Sequence, residues 1–174
     1  MTVVTFCNIL SFRPFSLENS RHSQLPVKIT LTKTEISTIY KTNENSVECP
    51  KDYIGIVGFG QSNLANRIKR VSLYSGDDNV FMWDWTDGKC YVLSEPLVGT
   101  DGGGRGNLLT DTVLHLQKNN FEKPILVASM ARGGSSVFYW YKGRQKYRLN
   151  RFLENARKAN LRFDFWLWMQ GETD

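Results

Sequence analysis

The stretch Tyr53-Ile54-Gly55-Ile56-Val57-Gly58-Phe59-Gly60-Gln61-Ser62-Asn63 decides the fold. Tyr53 to Gly58 is a short apolar run ending in glycine, the mark of a buried strand. The chain then turns polar, and Asn63 to Arg70 reads as the opening of a helix. Two later runs repeat the arrangement. Pro124 to Ser129 leads into Ala131-Arg132-Gly133-Gly134-Ser135-Ser136, and Phe163 to Met169 leads into Gln170-Gly171-Glu172-Thr173-Asp174. Between them, Val80 to Trp85 and Lys89 to Leu93 read as short strands around the turn Thr86-Asp87-Gly88. A glycine-rich loop, 99–106, precedes Asn107, which is placed to cap a helix running to about Lys118. Gln145 to Asn160 is helical in character. Strands alternating with helices predict an α/β fold, a parallel sheet covered on both faces.

In the last run, Phe163, Phe165, Leu167 and Met169 are expected on one side of a strand and Trp166 and Trp168 on the other. A strand apolar on both faces belongs inside a parallel sheet, and an uncovered apolar edge is a hazard that folds avoid. With Asp174 five residues on, the expectation is an N-terminal portion of a longer domain, covering 51–174. Pro50 and Lys51 mark its start. Residues 1–50 are polar and rich in Thr, Ser and Asn, with one alternating stretch, Val27 to Leu31, of strand character and no clear role.

At 174 residues the chain is one domain or most of one. Its 41% apolar and 13% aromatic content excludes a disordered chain. No apolar run approaches the roughly 20 residues of a membrane span. The start has no basic region and no small-residue cleavage site, so no signal peptide is read there, and the compartment stays open. The three cysteines, Cys7, Cys49 and Cys90, include no CxxC pair. They indicate neither a zinc site nor a disulfide framework, and one disulfide or free buried thiols fit equally. The net charge is +5. Part of it is local: Lys142, Arg144, Lys146, Arg148, Arg151, Arg157 and Lys158 stand against Glu154 alone. Such a stretch suits an acidic glycan or nucleic acid, or is a solvated helix face.

In open α/β sheets, ligands bind beyond the carboxyl ends of the strands. If the three strong strands are parallel, their polar tails meet on one edge, joined by the glycine loop. Ser62 then fits two readings, a nucleophile in a tight strand-to-helix turn or a helix cap. In the first, the free N–H groups at the helix start would stabilise an oxyanion. Gly102-Gly103-Gly104-Arg105-Gly106 fits a backbone donor or a flexible turn. No GK[ST] follows, so it is not a phosphate loop. Gln170 carries an amide able to donate to an oxyanion. Gly60-Gln61-Ser62-Asn63-Leu64 lacks the second glycine of G-x-S-x-G, which argues against the α/β-hydrolase elbow.

Gly60-Gln61-Ser62-Asn63 resembles the first block of SGNH hydrolases of the sialate O-acetylesterase and acetylxylan-esterase branch. Gly133-Gly134-Ser135, with Trp140 close behind, resembles that branch's third landmark. Trp168-Met169-Gln170-Gly171-Glu172-Thr173-Asp174 resembles its W-x-Q-G-E-x-D segment, and Pro96, Gly99 and 102–106 fall where the family has its glycine block. The likeness covers about 52–174. It implies a flavodoxin-like three-layer α/β/α sandwich with a parallel sheet, its C-terminal part missing, and a carboxylic ester hydrolase acting on O-acetyl or similar short acyl esters of carbohydrates. Ser62 would be the nucleophile. The oxyanion hole would combine the Ser62 N–H, a backbone N–H of Gly104 or Gly103, and the Gln170 side chain. Gln61, Asn63, Gly134, Glu172 and Asp174 would support them. No cofactor and no metal is implied. The expected partner is an acetylated carbohydrate, with no nucleic acid.

The chain departs from this pattern in one respect. The family's base lies in a D-x-x-H segment after the Gln170 block, while the histidines here are His22 and His115. A serine needs an adjacent base, so the chain alone is expected to be inactive or weakly active. The alternative is a non-catalytic carbohydrate-binding protein on an esterase-like scaffold.

Overall fold

The structure, a computed structural model, describes residues 46–69, 79–101, 105–119 and 121–171. The expected strand at 27–31, and Cys7 and His22, lie outside the described residues. Five strands, β1 (Ile54–Gly60), β2 (Val80–Asp84), β3 (Lys89–Val92), β4 (Ile125–Ser129) and β5 (Phe165–Met169), form one sheet in the order β3-β2-β4-β1-β5. β1 pairs parallel to β4 and β5, and β2 pairs parallel to β4. Only β3 runs antiparallel, as the return arm of a hairpin from β2. The Asp84 carboxylate shapes that turn by accepting bonds from the Thr86 N–H at 2.8 Å and the Thr86 hydroxyl at 2.6 Å. The helices are α1 (Leu108–Lys118), α2 (Val137–Tyr141) and α3 (Arg144–Lys158). The protein thus has the α/β fold expected, with a mostly parallel sheet between helical layers. Its parallel strands follow the order second, third, first, fourth, which differs from the flavodoxin order.

Alternation sorts the side chains onto two faces. Ile56, Met82, Ile125 and Val127 point to the α1 side, where Leu109 and Val113, one turn apart, meet them. Val57, Trp83, Leu126 and Ala128 point to the α3 side and meet Phe152 and Ala156. β4 is buried along its whole length, as a central strand covered on both faces must be. Asn107 caps α1 as anticipated: its side chain accepts from the Leu109 N–H at 2.9 Å. On α3, Gln145, Leu149, Phe152 and Ala156 recur at helical spacing on the inner stripe.

The structure departs from the sequence reading at several places. No α-helix forms between Asn63 and Lys69. Ser62–Leu64 makes a single 3-10 turn, and Asn66 then takes a positive φ of 55° that breaks the helical path. Ile68 bridges to Gly106 instead. β5 begins at Phe165, so Phe163 is not on the Leu167 side. It packs among Trp83 and Phe152, with ring centroids 5.8 and 5.2 Å away. The cause is Asp164, which anchors the chain just before the strand. Its N–H donates to the Gly55 carbonyl and its carboxylate accepts from the Gly55 N–H, at 2.8 and 2.9 Å. Among the described residues β5 lies at the edge of the sheet beside β1, with Phe165 and Trp168 partly exposed. Next to it, an apolar groove of about 590 Å³ runs between α3 and β5 past Phe152, Phe163 and Trp166.

The described residues also reach back beyond Pro50. Val47 bridges to Cys90, and Cys49 forms a disulfide with Cys90. The sequence left this pairing open. It ties the segment before β1 to the strand at the far edge of the sheet, closing a loop across a sequence separation of 41. In the chain-entropy account a loop of that size is worth about 4 kcal/mol. Cys49→Ala is therefore expected to lower the urea midpoint by an amount equivalent to about 2–4 kcal/mol. Reductant should move the wild type towards the variant's value and leave the variant unchanged. Equal midpoints with and without reductant in the wild type would show that the bridge contributes nothing.

Candidate active site at the carboxyl edge of the sheet

Gly60 ends β1 with a φ of 123°, and a Cβ there would overlap the Met169 carbonyl oxygen of β5. Only glycine fits on both counts. The close approach lets the Gln61 N–H donate to that same carbonyl at 3.0 Å. The Gln61 side chain is fully buried, and its Oε1 accepts from Gln170 Nε2 at 2.9 Å. Gln170 Nε2 also donates to the Ser135 carbonyl at 2.6 Å. The Gly60 carbonyl in turn accepts from the Arg132 N–H at 3.0 Å. The tails of β1, β4 and β5, three segments far apart in sequence, are thereby joined on one edge.

Ser62 opens the 3-10 turn, whose bonds run from the Leu64 N–H to the Gln61 carbonyl and from the Ala65 N–H to the Ser62 carbonyl, each 3.0 Å. Ser62 and Asn63 are half-buried at the edge. With a single turn rather than a helix after Ser62, the dipole there is that of one turn, because a macrodipole needs a run of aligned peptides. What stiffens the turn is a layer of polar side chains beneath it. Asn107 Nδ2 and Ser129 Oγ both donate to the Leu64 carbonyl, at 2.9 and 2.8 Å. Asn66 is buried, and its amide donates to the Leu97 carbonyl and the Thr100 hydroxyl at 2.8 and 2.9 Å. Its Oδ1 accepts from the Leu97 N–H and from Asn107. Asn tolerates positive φ better than other side chains, so this residue supplies both the break in the helix and the brace.

Gly103, Gly104, Glu172 and Asp174 lie outside the described residues. The two ends of the glycine loop are described, and both are anchored. At one end, Asp101 accepts from the Gly133 N–H at 2.8 Å and pairs with Arg132 at 3.5 Å. At the other, Gly106 and Ile68 exchange backbone bonds of 3.0 and 3.1 Å. Behind Asp101, Arg148 donates to the carbonyls of Gly99 and Met130, at 3.0 and 3.3 Å. Its guanidinium lies 5.1 Å from the Trp85 ring centroid, and Trp85 Nε1 donates to Gly99 as well. Burial lowers the Arg148 pKa to about 10.

Gly134, at a φ of 66°, turns the chain into Ser135. The Ser135 hydroxyl faces the carbonyls of Arg132 and Gly60, at 2.8 and 3.2 Å, and accepts from Trp140 Nε1 at 2.9 Å. Sequence reading placed Ser62, Gln61, Gln170 and Gly134 on this edge, and they are there. It missed the bracing set of Asn66, Asp101, Ser129 and Arg148, because a lone polar residue carries no spacing signal. His115 sits exposed in the last turn of α1, remote from the capped end that braces Ser62. Among the described residues no helix is long and apolar enough to cross a membrane.

Asp101 yields a pH prediction. Burial raises its pKa, and outweighs the Gly133 N–H and the guanidinium groups of Arg132, Arg148 and Arg67, which lower it. The folded state therefore holds this proton more tightly than the unfolded chain does. The cost of the buried charge is complete above the raised pKa and disappears as pH falls towards the ordinary carboxylate range. Asp101→Asn has no such dependence. The stability of wild type relative to Asp101→Asn should thus rise as pH is lowered from 7 to 4 in urea melts. A difference that is constant, or that shrinks on acidification, would contradict the raised pKa.

No family model matches this chain, and no curated protein matches it in sequence. A solved X-ray structure of a protein from Arabidopsis thaliana is similar, with a TM-score of 0.51 at 20% identity. The match covers 69% of this chain and 58% of that one, so this chain spans under two thirds of the related structure. At that identity the likeness is one of fold, and it agrees with the α/β architecture described above.

Proposed function

We propose that the protein is a serine esterase that removes O-acetyl or similar short acyl groups from carbohydrates. The supporting observation is the joining of the three strand tails at one edge: Gln61 to Gln170 at 2.9 Å, Gln170 to Ser135 at 2.6 Å, and Ser62 on the turn next to Gln61. These are the segments that carry the resemblance to SGNH hydrolases. In this reading the Ser62 oxygen attacks the acetyl carbonyl and its proton passes to a base. The tetrahedral oxyanion is met by the Ser62 N–H, a glycine-loop N–H from Gly104 or Gly103, and Gln170. Collapse releases the sugar hydroxyl, and water then frees acetate from Ser62. The resemblance implies that the base is a histidine of a D-x-x-H segment following Asp174. The Cys49–Cys90 bridge fits an oxidising compartment.

One observation favours the second reading, a carbohydrate-binding scaffold without turnover. Gln170 Nε2 already donates to both Gln61 and Ser135. To serve an oxyanion it must give up one of those bonds. Gln61 Nε2, buried and without a partner among the described residues, is a second amide donor at the same point.

p-Nitrophenyl acetate hydrolysis separates the readings when measured on this chain, on a version extended through the sequence that follows Asp174, and on Ser62→Ala in each. The esterase reading expects turnover by the extended protein, a loss of at least about 10³-fold in Ser62→Ala, and little activity in the shorter chain. A folded extended protein whose activity on this ester and on acetylated sugars is unchanged by Ser62→Ala would sink it.

A further inference from the structure

We infer that the outward face of α2 and the first turns of α3 form a docking surface for an acidic polysaccharide. α2 is five residues long and leaves most of its side chains in solvent. Phe138 is 63% and Tyr141 69% exposed, and Val137 and Tyr139 about half. Scattered exposed apolar residues need no explanation, but a contiguous group marks a contact surface. This group is also held in place. Trp140, the one buried residue of α2, bonds Ser135 and packs edge-on against Phe59 and Trp168, with centroids 5.7 Å away in each case. Gly143 then brings α3 against α2 so tightly that a Cβ there would lie 2.8 Å from the Tyr139 Cα.

The adjoining residues set the sign of the partner. Lys142, Arg144, Lys146 and Arg151 are all exposed, and none forms an ion pair with a described carboxylate. Glu154, the one acid on α3, is bonded to Lys158 at 2.7 Å. Cations sit beside rings: the Lys142 ammonium is 5.3 Å from the Tyr141 centroid, and the Arg151 guanidinium 5.9 Å from that of Tyr147. Each pair offers an apolar ring surface next to a positive charge. A sugar ring bearing a carboxylate or sulfate presents the complement, an apolar ring face and an anion. An interfacial membrane helix would need a longer apolar face than five residues give. Single-stranded nucleic acid also combines stacking with charge. The preference for a glycan rests on the esterase reading of the adjacent edge, which α2 joins through Ser135 and Ser136.

The test is binding, measured on Ser62→Ala protein so that turnover plays no part. Polygalacturonate is the probe, with neutral xylan, oligo-dT and phosphatidylserine vesicles as comparisons. Polygalacturonate should bind best, and its affinity should fall steeply with added salt. Lys142→Glu/Arg144→Glu and, separately, Phe138→Ser/Tyr141→Ser should each weaken binding by at least about tenfold, with unchanged circular dichroism and melting. Equal binding of xylan, tighter binding of oligo-dT or of vesicles, no binding, or indifference to both double variants would overturn the inference. The esterase reading fails independently. Binding without Ser62-dependent hydrolysis by the extended wild type would remove the enzyme and keep the surface. Hydrolysis without polygalacturonate binding would do the reverse.

Discussion

The approach of Gly60 to the Met169 carbonyl is the constraint on which the candidate site depends. It is a backbone-on-backbone contact where any side chain would collide, and it falls where two parallel strands run out. Because β1 and β5 close there, Gln61 is driven inward rather than outward. Its buried amide becomes the partner of Gln170, and the Ser62 turn is left on top. A buried side-chain amide has to be bonded or it costs stability. The Gln61–Gln170–Ser135 chain is therefore a consequence of the pinch and also what keeps it from opening.

Much of this was legible in the chain itself. Each of the three strong strands is an apolar run that ends abruptly in glycine or polar residues, and in a parallel sheet such endings coincide by geometry. The Asn107 cap and the hairpin at Thr86-Asp87-Gly88 were equally clear, since each depends on bonds between near neighbours. The errors lie where distant residues decide. Asn63 to Arg70 looks helical, but Asn66 is drawn into bonds with Leu97, Thr100 and Asn107 that a helix would not allow. Phe163 looks like part of the strand, but Asp164 is captured by Gly55 and the alternation starts later. The Cys49–Cys90 pairing depends on how the segment before β1 crosses to β3, which no spacing rule reveals.

Beneath the site the polar groups do structural work that apolar ones would do more cheaply. Arg148 is kept charged in poor solvent, and Asp101 holds a carboxylate where burial disfavours it. Replacing such groups by packed hydrocarbon is often neutral or stabilising. What hydrocarbon cannot do is fix the position of backbone carbonyls. Arg148 binds those of Gly99 and Met130 together, and Asp101 holds the Gly133 N–H. The residues on the near side of 102–104 are thus set against the loop after β4.

The same logic extends outward to α2. A five-residue helix has no stability of its own, since nucleation alone costs more than so few bonds return. It persists because Trp140 is buried against Phe59 and Trp168, and because its indole N–H finds Ser135. Ser135 is also the residue whose carbonyl receives Gln170. The aromatic platform and the candidate active site therefore share one residue as a fixed point. A shift in the loop after β4 would move both together. A long chain held on the platform would then meet the edge carrying Ser62 in a constant geometry, the condition under which remote binding helps to position a reacting group.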